Sequence, residues 1–229
     1  GVYGIIMGGW ASNSKYPFLG SVRSSAQMIS YELSLGLSII PVFMVFGEMN
    51  LPKITQFQDA HGWLILPLWG DGLSVGRWVL WIPMIISFLI FTVAMFAETN
   101  RLPFDLAECE TELVGGYHTE YSSMKLGLYL FSEYTSMFVS SAIMAILFFG
   151  GYNFPGMSHF SGNTLAILGI GAFAIKIFLF IFVIMWIRWT IPRFRFDQLM
   201  HLGWKTLLPL ALINLLITGL VIAFKNGWF

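Results

Sequence analysis

The sequence predicts an all-α polytopic membrane bundle with five full transmembrane helices and the end of a sixth. Apolar residues make up 57% of the chain and charged residues only 10%, a balance that water-soluble domains do not show. Five apolar runs of about 20 residues or more follow one another, the length a helix needs to cross the hydrocarbon core of a bilayer.

Residues 1–10 are too short to span and read as the last turns of another helix whose beginning is absent; the first residue is glycine, not methionine. The full spans are expected at 24–46, 77–97, 124–149, 164–187 and 204–224. The connection 47–76 is broken by Pro52, Pro67, Gly70 and Gly72 yet carries Trp63, Leu64, Ile65, Leu66 and Trp69. A stretch lying along the membrane interface and a plain extramembrane loop are both open there. With no internal repeat or low-complexity tract, residues 1–229 read as a single membrane domain in which 98–123 is an acidic inner-face loop.

Orientation follows from the basic residues. Lys15, Arg23, Arg101, Lys125, Arg188, Arg193, Arg195 and Lys205 fall on one face of the alternating topology, and Lys53, Arg77 and Lys225 on the other. This positive-inside bias puts the acidic loop on the cytoplasmic side, or on the matrix side in a mitochondrion. A formal net charge of zero argues against nucleic-acid binding. Cys109 is the single cysteine, so this chain alone can build neither a disulfide framework nor an all-cysteine metal or iron–sulfur site. His61, His118, His159 and His201 form no helical ligand pair, and no metal site is expected.

Six of the twelve carboxylates, Glu98, Asp105, Glu108, Glu110, Glu112 and Glu120, fall within 98–120. Like charges packed beside a bilayer repel one another and tend to hold protons, so proton handling is the first functional expectation. Pro103 ends the second span, and Asp105 with Glu108 has the spacing of a capping box opening a short helix. On that helix Glu108 and Glu112 share a face and Glu110 turns away from both. Two more acids lie at membrane depth, Glu32 and Glu133. A charged residue at the centre of a span costs about 2.5–3.5 kcal/mol on insertion scales, so each is expected to be neutral, paired or hydrated. Tyr129, Ser132, Glu133, Ser136 and Ser140 form one polar stripe and Gln27, Tyr31, Ser34 and Ser38 another, with Glu32 about 100° to its side. The stripe serines are expected to bond neighbouring helices. Lys176 has no evident partner and either snorkels or faces an acid of another subunit.

Three motifs in this order carry a resemblance. They are Gly9-Trp10-Ala11-Ser12-Asn13-Ser14-Lys15-Tyr16 with Arg23, Gln27 and Ile29-Ser30-Tyr31-Glu32; Glu98-Thr99-Asn100-Arg101-Leu102-Pro103-Phe104-Asp105 with Glu108, Glu110, Glu112, Gly115-Gly116-Tyr117 and Glu120; and Pro192-Arg193-Phe194-Arg195-Phe196-Asp197-Gln198 with Trp204-Lys205. The chain closely resembles the NADH dehydrogenase subunit 1 family, the quinone-tunnel membrane subunit of respiratory complex I, over essentially its whole length. Family members have eight transmembrane helices, which implies that this chain holds the fourth to eighth and the end of the third. A separate polypeptide supplying the amino-terminal helices, through a split gene, is one expectation.

The resemblance implies a membrane subunit of a proton-pumping NADH:ubiquinone oxidoreductase that forms the quinone tunnel and couples quinone reduction to proton translocation. It places Arg23, Arg101, Phe104, Asp105, Glu108, Glu110, Glu112, Tyr117, Arg193 and Arg195 around the tunnel and its junction, and Glu32, Glu98 and Glu133 on the proton path. Ubiquinone is then the substrate, nothing is bound covalently, and FMN and iron–sulfur clusters sit in partner subunits only. The implied partners are the peripheral-arm quinone-site subunits, the antiporter-like and small membrane subunits, and membrane lipid. The implied location is the mitochondrial inner membrane, with a bacterial plasma membrane as the alternative. Arg193 and Arg195 either pair with the acidic loop or a peripheral subunit, or serve as a positive-inside anchor. Two other readings stay open: the equivalent subunit of a ferredoxin-dependent or hydrogenase-type relative, and, in a different class, an acid-lined transporter. The last would need inverted repeats or paired broken helices, and neither is visible.

Overall fold

The computed structural model describes residues 2–65, 75–101, 103–105, 116–157 and 162–225, all of them helix or connecting turn. In chain order the helices are α1 (Val2–Ala11), α2 (Lys15–Phe46), α3 (Leu51–His61), α4 (Val75–Glu98), α5 (Ser123–Phe149), α6 (Asn163–Thr190), α7 (Phe196–His201) and α8 (Leu208–Lys225). A 3-10 turn, Gly116–His118, precedes α5, and a π-helical turn, Leu202–Leu207, joins α7 to α8. Among the described residues five stretches are long and apolar enough to cross a membrane: Lys15–Phe46, Val79–Glu98, Ser123–Phe149, Asn163–Thr190 and Phe196–Phe224. The fold class and the five spans are therefore as the sequence predicts.

Two boundaries and one element differ. The first and last spans begin earlier than the apolar runs, because α2 takes in Lys15 and Arg23 and the last stretch begins with α7, which takes in Asp197. Hydropathy marks where lipid is tolerated, whereas the helix continues for as long as its backbone bonds do. Within the 47–76 connection the structure has α3, an 11-residue helix opened by Asn50 with proline in its first turn, where a missing N–H costs nothing. Its Ile54, Thr55 and Gln58 are buried, so residues 51–61 are a helix with one packed face and not a plain loop.

The chain forms two compact units. Unit 1 comprises Gly1–Leu35, Thr92–Met137 and Ile184–Pro209. Its core is the predicted α2 stripe, since Gln27, Tyr31 and Ser34 are all buried while Glu32 points outward. Of the stripe serines, Ser34 and Ser136 donate to carbonyls of their own helices rather than of a neighbour, satisfying their hydroxyls locally; Ser25, off the stripe, does the same. Ser30 also does so, to Ala26, and in addition accepts from the Trp204 indole at 2.8 Å. The π turn sits where Gly203 passes the Tyr31 ring, and the Tyr31 hydroxyl donates to the Leu199 carbonyl at 2.8 Å. A π turn misaligns the backbone ladder, and the phenol supplies a donor beside it.

Unit 2 comprises Gly36–Phe91, Phe138–Val183 and Leu210–Phe229. Here Asn214 ties α8 to α4, donating to the Pro83 carbonyl at 3.0 Å and to the Ser87 hydroxyl at 2.8 Å. Phe88, Phe91, Phe148, Phe149 and Phe180 pack edge-on or tilted between the helices.

Close approach in unit 1 depends on Gly20, whose absent Cβ would lie 3.0 Å from the Tyr117 amide and 3.1 Å from Gly116. Gly20→Ala should push the 116–118 turn away and cost about 1–3 kcal/mol. Gly127→Ala, where nothing stands within 4 Å, should be neutral or slightly stabilising. Thermal midpoints of the detergent-extracted variants would show the contrast.

Candidate functional site

The site of unit 1 is built around the end of α4. Thr99 bonds back to Phe96 through its hydroxyl, Asn100 takes a left-handed conformation at φ 49°, and Pro103 follows. Asparagine tolerates that conformation better than most residues, so the helix stops and the chain turns inward. Arg101 is carried to a buried position.

There its guanidinium lies 3.0 Å from the Glu133 carboxylate of α5, with the two side chains only 9% and 10% exposed. The Tyr117 hydroxyl donates to the Glu133 carboxylate at 3.0 Å, and the Arg101 guanidinium stands over the Tyr134 ring at 4.7 Å. Glu133 at membrane depth is thus paired and hydrogen-bonded, one of the three states the sequence allows. Tyr117 itself packs edge-on against Tyr129, which meets Tyr121, whose hydroxyl bonds the Gly8 carbonyl of α1.

A second cluster lies on the same loop. Gln27 of α2 is fully buried and its amide donates to the carbonyls of Ala97 and Phe104, each at 2.8 Å. It therefore clamps both ends of the turn that carries Arg101. Phe104 packs edge-on against Tyr31 and tilts against Phe194, while the Phe194 amide donates to the Pro103 carbonyl. Arg193 donates to the main-chain oxygen of Asp105 and stands 3.8 Å from its carboxylate. Arg193 thus pairs with the acidic loop, one of the roles left open for it.

Residues 1–219 match the family described as NADH dehydrogenase. The chain belongs to the NADH dehydrogenase family. A subunit of the NADH-quinone oxidoreductase of Flavobacterium psychrophilum is 55% identical over 230 residues, covering 98% of this chain and 62% of the relative. The corresponding subunit of Deinococcus deserti is 49% identical over 228 residues, 100% of this chain and 54% of the relative. That of Leptospira biflexa is 45% identical, covering 99% and 60%. The chain spans about three-fifths of the length of the curated relatives it matches. Family membership removes the transporter reading.

The resemblance implies Arg101 and Tyr117 at the junction and Glu133 on the proton path; the geometry of this NADH dehydrogenase family chain joins all three. Phe104, Asp105 and Arg193 come together as a neighbouring group. Arg23 is half-buried on α2, and Arg195 is exposed, its amide donating to Gln198 at the start of α7. Glu98 is half-buried at the end of α4, close enough to Glu32 for the two carboxylates to repel. Glu108, Glu110 and Glu112 lie outside the described residues, as does the expected helix that Asp105 would cap. Tyr134 and Asn100 do not stand out in the sequence; their signals are an aromatic ring beside a membrane acid and a helix-stopping asparagine before proline.

Breaking a buried pair by removing one partner typically costs about 3–5 kcal/mol, because the other charge stays behind. Arg101→Met should destabilise the protein by that order, Tyr117→Phe by about 1.5–3 kcal/mol, and Arg101→Met with Glu133→Leu by much less than the sum of the single changes. A thermal double-mutant cycle measures all three.

Proposed function

We propose that this chain forms part of the membrane arm of a proton-pumping NADH-quinone oxidoreductase, lining the access route of the quinone and coupling its reduction to proton movement. The observation that carries the reading is the Arg101–Glu133–Tyr117 network, a carboxylate at membrane depth held by a fixed cation and a phenol beside the loop that contains half of the chain's acids. Family membership supports the assignment, and the relatives are named as subunits of such an oxidoreductase.

Reduction of a quinone to the quinol takes two electrons and two protons. Negative charge arriving in a low-dielectric passage attracts protons to carboxylates nearby. Glu108, Glu110 and Glu112 are spaced to titrate as a group, with Arg23, Phe104, Asp105, Arg193 and Arg195 framing the junction. Protonation of Glu133 cancels its attraction for Arg101, whose guanidinium keeps the Tyr134 ring as a second partner and can turn to another acid. Glu98 and Glu32 would carry the change onward. Glu32 projects outward at membrane depth, which fits burial against a small membrane subunit better than contact with lipid.

The redox groups belong in partner subunits under this reading. One cysteine and four scattered histidines do not provide the thiolate set that an iron–sulfur cluster needs. Because the matched relatives are bacterial, a bacterial plasma membrane is favoured over the mitochondrial inner membrane. Peripheral-arm and antiporter-like subunits are the proposed neighbours.

Replacement of Glu133 by glutamine should keep the Tyr117 contact but remove the charge. Quinone-linked proton pumping in reconstituted vesicles is expected to fall by about tenfold or more, with the assembled complex still present on a native gel. Unchanged pumping in a fully assembled variant would overturn the coupling role.

A further inference from the structure

Lys176 takes no part in the proposed function, yet it stands at the middle of the 28-residue helix α6. Its ammonium donates to three main-chain carbonyls, Phe149 at 2.7 Å, Gly151 at 2.8 Å and Asn153 at 2.5 Å, and lies 4.5 Å from the centre of the Trp63 ring. All four groups belong to unit 2. The arrangement has a backbone cause. Helix α5 ends at Phe149, and the last four carbonyls of a helix have no donor within it. Water can satisfy them at a surface, but this end faces the middle of a membrane-spanning helix.

Several of these groups receive a specific partner. Gln58 of α3 donates to the carbonyls of Ile146 and Leu147 at 3.2 and 3.0 Å. The Gly151 amide returns to Ala145 at 2.8 Å, which requires the turn of Gly150 and Gly151 at φ 72° and 55°. Asn153 bonds the Thr55 carbonyl, fixing the turn to α3. What remains is a set of oxygens converging on one point, with the negative end of the α5 dipole behind them and an indole face to the side. The buried side-chain oxygens of Gln58 and Asn153, in the same segments, also lack a donor. Three main-chain oxygens converge on one point, so the place calls for a cation with several N–H groups rather than a neutral side chain.

We propose that the carbonyl end of α5 is a cation site, filled from within the chain by the Lys176 ammonium and able to take a small primary ammonium ion when that side chain is removed. Three N–H donors meet three acceptors, a match that a guanidinium can partly reproduce and a thioether or methyl group cannot.

The test is local. Lys176→Ala is extracted with its native partners in mild detergent, and amide exchange is followed by mass spectrometry in peptides covering 145–157, whose Gly151 and Asn153 amides report the turn. Exchange there should rise at least about tenfold, the scale set by losing hydrogen bonds to a charged group. Methylammonium should restore most of the protection, and tetramethylammonium at equal concentration, which has the charge but no N–H, should not. Unchanged exchange in the variant, or equal restoration by both salts, would overturn the proposal. If Lys176→Ala does not accumulate, Lys176→Arg and Lys176→Met decide the matter by their levels in the membrane. Accumulation of Arg but not Met supports a cation requirement, and an equal fate for both refutes it.

Discussion

A charge within a membrane span has to find its counterpart in the protein, and the buried pair of Arg101 and Glu133 is where that constraint governs unit 1. For Arg101 to reach Glu133, α4 must stop at a left-handed Asn100, Pro103 must prevent its resumption, and the turn must be held from both sides. Gln27 does the holding by taking the carbonyls of Ala97 and Phe104. For Tyr117 to reach the same carboxylate, Gly116 and Tyr117 must lie against α2 where Gly20 leaves room. Each of these features is ordinary alone. Together they deliver one guanidinium and one phenol to one carboxylate.

The backbone meets the same constraint in unit 2. A helix that ends away from water leaves carbonyls whose desolvation is as costly as that of a polar side chain. Gln58 and Lys176 answer it from two other helices, and the glycine pair at 150 and 151 allows the chain to turn back over its own last residues. Side-chain charge in one unit and main-chain carbonyls in the other are thus satisfied by the same means, donors reaching across from neighbouring helices.

The spans were legible in the sequence because lipid imposes a length and a composition that no local detail can disguise. Their starts were less so: Lys15 and Arg23 interrupt the apolar run without interrupting the helix. Helix α3 escaped notice because its residues are polar on average and its buried face is only Ile54, Thr55 and Gln58. Helical spacing put Gln27, Tyr31 and Ser34 on one face with Glu32 about 100° to its side, and the structure buries that face and turns Glu32 outward. The Arg101–Glu133 contact did not follow from spacing, because it joins residues 32 apart through a turn whose path depends on Gln27. Likewise the acceptors of Lys176 are main-chain carbonyls, which every residue possesses and no sequence motif marks.

Stability alone is a poor reason to place Arg101 and Glu133 where they are. Desolvating two charges costs about as much as their attraction returns, and apolar residues of similar volume often serve as well or better. An apolar pair, however, has one state. A carboxylate facing a guanidinium and a phenol has two under the proposed function: a proton arriving on Glu133 would change its charge, release Arg101 and leave Tyr117 able to keep its bond. The aromatic face of Tyr134 gives the released cation a place to remain, at a distance already set at 4.7 Å. A network with these members can therefore change its charge without losing its packing, which is what coupling a chemical step to proton movement requires of a group buried in a membrane.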